Sequence, residues 1–236
     1  MVYKGHIKKM RKGEMIEADV AVKFIHTHAN RQLKEDMMAE IEFFKAIGKH
    51  DNLLVMVGYV NDPESPVIAT EYCGHGDLLG ILKKHQLHYM DEERCSEVDV
   101  CLLFNDLIKI AYEVCSGLAY LSSLNYIHRD IAARNVMLTT DLVAKLGDFG
   151  LCRKIEEGQT VLISKEGKLP IKHMPYESIK FGEFSEKSDI WSFGILLFEM
   201  FSGGQSPFKE IEPEDFIQLL GNGGRLTFPE ETPNKM

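Results

Sequence analysis

The sequence has 236 residues, of which 44% are hydrophobic and 27% are charged, and its formal net charge at pH 7 is -9. This length and composition are typical of a globular chain with one large domain or two lobes, and they argue against disorder. The acidic balance argues against nucleic-acid and anionic-membrane partners, because both bind clustered Lys and Arg.

The cysteines indicate the redox compartment of the protein, and the longest apolar run shows whether a membrane span is expected. The five cysteines are odd in number and contain no C-x-x-C pair, so we expect reduced intracellular thiols rather than disulfides or zinc ligands. The longest apolar run, residues 194–201, contains Glu199 and is far shorter than the roughly 20 residues of a membrane span. No signal peptide begins at Met1, and we expect neither a span nor secretion.

Residues 1–73 are predicted to form a small β-sheet with one helix. The basic stretch at residues 4–12 is predicted to be a solvated turn. The spacing of apolar residues over 30–50 predicts an amphipathic helix. Strands are predicted at residues 18–26, 53–60 and 65–73.

Residues 74–236 are predicted to be mainly helical. Helical spacing recurs in three segments, residues 77–85, 102–124 and 186–201. Residues 71–77, with two Gly, form the natural linker between the regions. Because ligands commonly bind in clefts between lobes, we expect a site near this linker.

One stretch of the second region, residues 126–138, places five polar side chains between apolar flanks. They are His128, Arg129, Asp130, Arg134 and Asn135. Apolar flanks draw the stretch inward, where an unpaired charge is costly, so these groups either solvate a turn or perform chemistry.

A second Asp supports the chemical interpretation. Asp148, in Asp-Phe-Gly, follows Asp130 by 18 positions, with Asn135 between them. Taken alone, Asp-Phe-Gly is an ordinary turn and His-Arg-Asp an ordinary surface cluster. Together, two Asp and one Asn on loops suit a Mg²⁺ ion that also binds phosphate oxygens. Upstream, Lys23 ends a strand and Glu40 lies 17 positions later in a helix; they are either a buried ion pair or two solvated charges.

These motifs resemble the protein kinase family, whose signatures include V-A-I-K, H-R-D-L-x-x-x-N and D-F-G. Here they read V-A-V-K at residues 20–23, H-R-D-I-A-A-R-N at 128–135 and D-F-G at 148–150. Ala132 stands where Ser/Thr kinases usually have Lys, and residues 169–174, LPIKHM, look like the tyrosine-kinase segment that supports a substrate ring. The likeness is greatest to fibroblast, vascular-endothelial and platelet-derived growth-factor receptor kinases.

The resemblance implies an α+β, two-lobed kinase fold that binds ATP and Mg²⁺. Residues 1–73 would be a partial N-lobe and residues 74–236 a mainly helical C-lobe. Lys23 would hold the α- and β-phosphates and pair with Glu40, while Asp148 and Asn135 would hold Mg²⁺. Asp130 would take the proton of the substrate tyrosine, with Arg134 beside it.

The resemblance also implies an adenine site. Thr70 falls at the gatekeeper position, and backbone groups of Glu71 and Cys73 would meet the adenine edge. Ala21 and Met137 would sandwich the ring, and Val2 would correspond to the Val that ends the Gly-rich loop. A stack linking the lobes would contain Phe44, Leu54, His128 and Phe149, although for Phe44 and Leu54 taken alone a plain core role is favoured.

The sequence departs from the family pattern at several places. The Gly-rich loop before Val2 and the last C-lobe helices are missing, so we expect weakened phosphate binding, an unpaired Glu177 and a partly uncovered helix around Trp191. The usual Trp is His173, and Ala-Pro-Glu reads Pro175-Tyr176-Glu177.

The activation loop lacks the receptor kinases' paired tyrosines. Their positions hold Thr160 and Val161, and no Tyr occurs between Gly150 and Pro175. Two alternatives follow: constitutive ordering by the charges of Glu156 and Glu157, or control through Thr160 or Ser164. Arg129, which commonly pairs with a phosphorylated loop in the family, has no tyrosine there to pair with.

Two functions are consistent with the sequence. The first is an ATP- and Mg²⁺-dependent protein tyrosine kinase catalytic domain with tyrosine-containing protein substrates. It would be cytoplasmic, at the inner face of the plasma membrane if it belongs to a receptor, and its subtype allows a dimer of kinase domains. The second is a truncated or inactive kinase-like domain that binds partners or regulates full-length relatives.

Overall fold

The computed structural model describes residues 2–11, 14–25, 31–84, 102–156, 159, 161–163 and 169–227. The candidate regulatory residues Thr160 and Ser164, and the acidic Glu157, lie outside this described part of the chain.

The first part of the chain folds as a four-stranded antiparallel sheet with one helix. The sheet has the order β1-β2-β4-β3, and the helix α1 follows β2. The bounds are β1 Val2–Arg11, β2 Glu14–Phe24, α1 Arg31–Ile47, β3 Met56–Val60 and β4 Val67–Glu71. The predicted helix and the three predicted strands are therefore present. The helix, β3 and β4 are shorter than predicted, whereas β2 begins four residues earlier and ends two residues earlier than the predicted strand.

The predicted turn at residues 4–12 is wrong, because residues 4–11 belong to β1. His6 and Lys8 lie directly opposite Asp19 and Glu17 of β2. Lys8 Nζ is 2.6 Å from Glu17 Oε1, and the His6 ring lies within hydrogen-bonding distance of both carboxylates. Opposite charges on facing strands stabilise such a pair, so the basic residues belong to one face of a strand.

Helix α1 is amphipathic and packs beneath the sheet. Its buried residues recur at helical spacing: Met37, Glu40, Ile41, Phe43, Phe44 and Ile47. The helix ends at Ile47 and is followed by Gly48, whose φ of +70° is a conformation that glycine adopts without a Cβ clash. The only polar member of the buried set is Glu40, so its carboxylate requires a partner in the interior.

The second part is mainly helical and carries short strands on its cleft side. The helices are α2 Leu78–Lys84, α3 Phe104–Ser123, α4 Tyr176–Phe181, α5 Glu186–Phe201 and α6 Pro213–Gly221. The strands are β5 Gly76–Asp77, β6 Tyr126–Ile127, β7 Val136–Leu138, β8 Ala144–Leu146, β9 Arg153–Lys154, β10 Leu162–Ile163 and β11 Glu183–Phe184. Among the described residues, no helix has the length and apolar character of a membrane span.

The two parts share one hydrophobic core. The segment after α1 adds to this connection, because Leu54 N donates to Leu146 O and Leu146 N donates to Asn52 O. Gly117 of α3 approaches the same segment so closely that a Cβ would lie 2.9 Å from Asn52 O. This contact fixes the sheet relative to α3 and thereby sets the cleft between the two parts.

The helix around Trp191 is partly exposed in the described structure. Arg225 stacks on the Trp191 ring at 5.0 Å, while Ile190 is 61% exposed. Within the described residues, Glu177 makes no ion pair.

Candidate active site

A cleft of about 430 Å³ lies between the sheet and the helical part. It brings together residues from β1, β2, α1, β4, the linker, β7 and the loop after β8. The predicted site residues that line it are Val2, Ala21, Lys23, Glu40, Thr70, Glu71, Cys73, Arg134, Asn135, Met137 and Asp148. Asp130 joins this group through its hydrogen bonds with Arg134 and Asn135.

The predicted ion pair between Lys23 and Glu40 is formed. Lys23 Nζ lies 2.7 Å from Glu40 Oε2 and 3.0 Å from Asp148 Oδ1. One ammonium therefore joins β2, α1 and the loop after β8. Helix α1 is thus held against the cleft by a charge contact as well as by apolar packing.

The pKa values of this trio follow from burial and mutual charge. Burial raises the pKa of Glu40, and the nearby Lys23 reverses only part of that rise. For Asp148, loss of solvation acts in the same direction, but the charge and hydrogen bond of Lys23, together with the charges of His128 and Arg134, outweigh it and hold the pKa below its usual value. Burial alone would lower the pKa of Lys23, yet the two carboxylates raise it, so the ammonium stays charged at neutral pH.

The loop between β6 and β7 presents Asp130 with both carboxylate oxygens engaged. Arg134 donates to Oδ1, and the amide nitrogen of Asn135 donates to Oδ2 at 2.7 Å and to the Asp130 carbonyl at 2.7 Å. A 3₁₀ turn over Ala133–Asn135 places these two partners back over Asp130. The carboxylate is therefore fixed in one orientation before any substrate arrives.

Asp189 of α5 anchors this loop and was missed by the sequence analysis. Its carboxylate accepts hydrogen bonds from His128 N at 2.7 Å and Arg129 N at 3.0 Å. Arg129 has a φ of +67°, which is uncommon for a residue with a side chain. The only sequence signal was an acidic residue in the first turn of an apolar helix, which is usually an ordinary helix-dipole contact.

Phe149 connects the two parts of the chain through aromatic contacts. Its ring lies 5.2 Å from Phe44 and 5.6 Å from His128, which agrees with three members of the predicted stack. Leu54 lines the cleft nearby. Phe43, which was not predicted, packs on Phe149 at 4.7 Å. Because Phe149 follows Asp148 in the chain and packs on α1, the position of Asp148 depends on that helix.

The donor groups facing the cleft fit a hard divalent cation. Asp148 supplies carboxylate oxygens, and the Asn135 nitrogen is used by Asp130, so its side-chain oxygen is the atom suited to a cation. Mg²⁺ is usually bound by one or two protein oxygens together with phosphates and water. Within the described residues no cluster of three or more His, Cys, Asp or Glu is arranged for a metal.

The inner end of the cleft is apolar and suits a flat ring. Thr70 is buried on β4, and Ala21 and Met137 also line the space. The Glu71 side chain accepts from Val55 N at 2.9 Å and contacts Lys145 Nζ at 2.9 Å. Its backbone N–H donates to Val55 O at 2.9 Å, so the backbone carbonyl is the Glu71 group suited to meet a bound ring, in line with the backbone contact predicted from the sequence.

Cys73 should be the slow thiol in alkylation. Burial raises the pKa of Cys73 to about 11, so roughly one thiol in a thousand is ionised at pH 8. Cys115 is exposed on α3. With iodoacetamide at pH 8, we expect mass spectrometry to show Cys115 modified at least about tenfold faster than Cys73, and Cys73 slower still with ATP. In guanidinium chloride the two rates should converge; equal rates in the folded protein would contradict the burial of Cys73.

Arg129 lies in the interior beneath the activation loop. Its Nε donates to Leu151 O at 2.7 Å, and its guanidinium lies 4.9 Å from the centre of the Phe184 ring. Glu156 is exposed and accepts a hydrogen bond from Gln159. The two alternatives for loop control therefore stay predictions.

Comparisons with known proteins agree with this geometry. The family model for protein tyrosine and serine/threonine kinases matches residues 1–236. The chain is 44% identical over 221 residues to "Putative tyrosine-protein kinase F09A5.2" of Caenorhabditis elegans, covering 92% of this chain and 25% of that protein. It is 36% identical over 220 residues to fibroblast growth factor receptor 1 of Xenopus laevis, covering 92% and 27%. Tyrosine-protein kinase csk-1 of C. elegans is 35% identical over 229 residues, covering 97% and 40%.

The chain therefore belongs to the protein tyrosine and serine/threonine kinase family. The match spans the whole chain, so the chain is a protein kinase domain, a class of domain that uses ATP with a divalent metal and acts on proteins. Two of the three relatives are named as tyrosine-protein kinases. The chain spans about a quarter to two fifths of the length of these relatives.

Proposed function

We propose that this chain transfers the γ-phosphate of ATP to tyrosine hydroxyl groups of proteins, as part of receptor-type signalling. The observation that carries the proposal is the convergence of Lys23, Glu40 and Asp148 within 3.0 Å, in the cleft that the Asp130 loop also borders. Phosphoryl transfer needs positioning and charge neutralisation more than covalent help, and this arrangement supplies both.

In this proposal each side chain has one task. The Lys23 ammonium binds α- and β-phosphate oxygens, and Glu40 keeps it directed into the cleft. Asp130 orients the substrate hydroxyl and accepts its proton, and Arg134 holds the carboxylate beside the incoming phenol.

Asn135 and Asp148 are the proposed ligands of Mg²⁺. When bound there, Mg²⁺ would neutralise the charge of the phosphates. Their oxygens border the same cleft as Lys23, so the cation and the ammonium would act on one triphosphate.

Tyrosine rather than serine is favoured by two segments. Ala132, fully buried, stands where Ser/Thr kinases usually carry Lys, so no ammonium occupies that position. The segment at residues 169–174 holds Ile171 43% exposed, which offers an apolar contact for a phenol ring.

Three wider features belong to the same proposal. We place the division between N-lobe and C-lobe at residues 73 and 74, next to the turn in which Gly76 N donates to Cys73 O. The similarity to fibroblast growth factor receptor 1 supports a position at the cytoplasmic face of the plasma membrane. Dimerisation of kinase domains during signalling, which the receptor subtype allows, is part of the same proposal.

The proposal is tested by a transfer assay. The purified chain is incubated with ATP, Mg²⁺ and a random Glu-Tyr copolymer, and phosphotyrosine is measured beside an Asp148→Asn variant. We expect phosphate on tyrosine that falls by at least about a hundredfold in the variant, because one cation ligand loses its charge.

Two results would reject the proposal. One is the absence of phosphotyrosine in the wild type, and the other is equal product from both proteins. If ATP still bound in the first case, the non-catalytic binding module would become the better description of the chain.

A further inference from the structure

A buried hydrogen-bond network runs through α5 and connects two segments. One is residues 169–174, the proposed peptide-binding segment, and the other is the loop between β6 and β7 that carries Asp130, called the catalytic loop below. The centre of the network is Glu199, which is 3% exposed. Glu199 Oε2 accepts from Ala133 N at 2.7 Å, and Glu199 Oε1 lies 3.2 Å from His173 Nε2. None of these three residues lines the cleft, so they act on the site only through others.

The chemistry of Glu199 dictates how His173 takes part. A carboxylate in its ionised form only accepts hydrogen bonds, so the tautomer of His173 with the proton on Nε2 is the one that donates to Glu199. A buried carboxylate left without one of its two donors is destabilised, because water does not replace the lost partner. The ring of His173 is buried as well, so it cannot move aside without opening the interior.

Ala133 transmits this contact to the catalytic loop. It begins the 3₁₀ turn that contains Arg134 and Asn135, the two residues that hold the Asp130 carboxylate. A shift of the Ala133 amide would therefore move both hydrogen-bond donors of Asp130 together.

His173 carries the contact to the peptide-binding segment. It ends the 3₁₀ turn over Ile171–His173, and its carbonyl accepts from Ser192 Oγ at 2.8 Å. The exposed Ile171 begins the same turn. One end of the network thus adjoins the loop of the proposed general base, Asp130. The other end adjoins the proposed contact surface for the phenol ring.

We infer that His173 and Glu199 are positioning residues that couple the peptide-binding segment to the orientation of Asp130. This inference rests on the proposed function and adds to it a specific determinant of peptide turnover. It gives a role to His173, which stands where the family usually has Trp.

The inference is tested with His173→Phe, which keeps an aromatic ring but has no donor, and His173→Gln, which keeps an N–H. In His173→Phe we expect kcat/KM for the Glu-Tyr copolymer to fall about tenfold or more, with KM for ATP unchanged within about twofold. His173→Gln should restore most of the loss. His173→Leu serves as a second variant without a donor if the Phe ring prevents folding.

A structural readout separates this inference from the proposed function. Hydrogen exchange of the Ala133 amide should speed up at least about tenfold in His173→Phe, and this is measurable without turnover. Ser192→Ala is the matched control, because it removes another buried hydrogen bond to residue 173 without touching Glu199. It should leave Ala133 exchange near the wild-type rate.

Two outcomes would overturn the coupling. One is equal activity and Ala133 exchange in the Phe, Leu and Gln variants. The other is a rise in KM for ATP as large as the loss in peptide turnover. A wild type without phosphotransfer would reject the proposed function, while Ala133 exchange would still decide whether the network is coupled.

Discussion

Asp130→Asn is expected to bind ATP like the wild type and to lose phosphotransfer by about 10²- to 10⁴-fold in kcat, the usual contribution of a positioned general base. The substitution keeps shape and one oxygen, so the hydrogen bond from the Asn135 amide has an acceptor in the variant. The amide that replaces the carboxylate cannot take up a proton from a tyrosine hydroxyl.

The measurement is steady-state phosphotyrosine formation together with ATP affinity by equilibrium binding. Asp141→Asn is the matched control, since Asp141 is exposed on the same part of the chain outside the cleft. It should leave both quantities unchanged. An Asp130→Asn enzyme within about threefold of wild-type kcat would remove Asp130 from the proposed mechanism.

Lys23→Met should lower kcat/KM at least about a hundredfold and also destabilise the fold by about 2–3 kcal/mol at pH 7.5. Met keeps the length of the side chain but removes the charge, so Glu40 becomes an unpaired carboxylate with 4% exposure. Breaking a fully buried ion pair costs about 3–5 kcal/mol. The expected loss is at or below the low end of that range, because the Lys23 side chain is 33% exposed.

The stability loss should depend on pH with a defined sign. Burial already raises the pKa of Glu40, and removal of Lys23 raises it further. Between the ordinary and the raised pKa, the folded state binds more protons than the unfolded state, so stability falls as pH rises through that window. The difference between wild type and Lys23→Met should therefore be smaller at pH 5 than at pH 7.5.

Urea unfolding at the two pH values provides the measurement. Lys8→Met is the control, because its partner Glu17 is also solvent-exposed and such pairs contribute at most about 1 kcal/mol. A Lys23→Met deficit that is the same at both pH values would show that Glu40 is not the group left unpaired.

The sequence was sufficient for elements with strong periodicity. Helix α5, at Glu186–Phe201, has the predicted bounds, because a capping Ser185 precedes its long apolar run. The strand β1 was missed because it forms by backbone pairing with β2 along its whole length, accompanied by charge pairs across the two strands, and no local pattern of residues 4–12 displays that partner. Local reasoning treats Lys-rich polar stretches as solvated, and pairing overrides that preference.

The residues of the cleft were predictable from motifs, whereas their supports were not. Lys23, Asp130 and Asp148 occur in short recognisable sequences, and the structure brings them to one cleft or its border. Asp189 accepts backbone hydrogen bonds from His128 and Arg129, and Glu199 accepts one from Ala133. These donors lie about 60 positions earlier in the chain. The sequence contains no sign of such long-range acceptors, since each reads as a lone acid in an apolar helix.

The Asp189 carboxylate has a further consequence for the timing of catalysis. A non-glycine residue at positive φ, such as Arg129, costs about 1–3 kcal/mol, and Asp189 offsets that cost while the chain folds. The conformational entropy of the loop is therefore lost once, before any encounter with substrate. In the proposed mechanism, each arriving tyrosine would then meet a base whose effective concentration is already high, and no ordering of that loop would have to accompany each turnover.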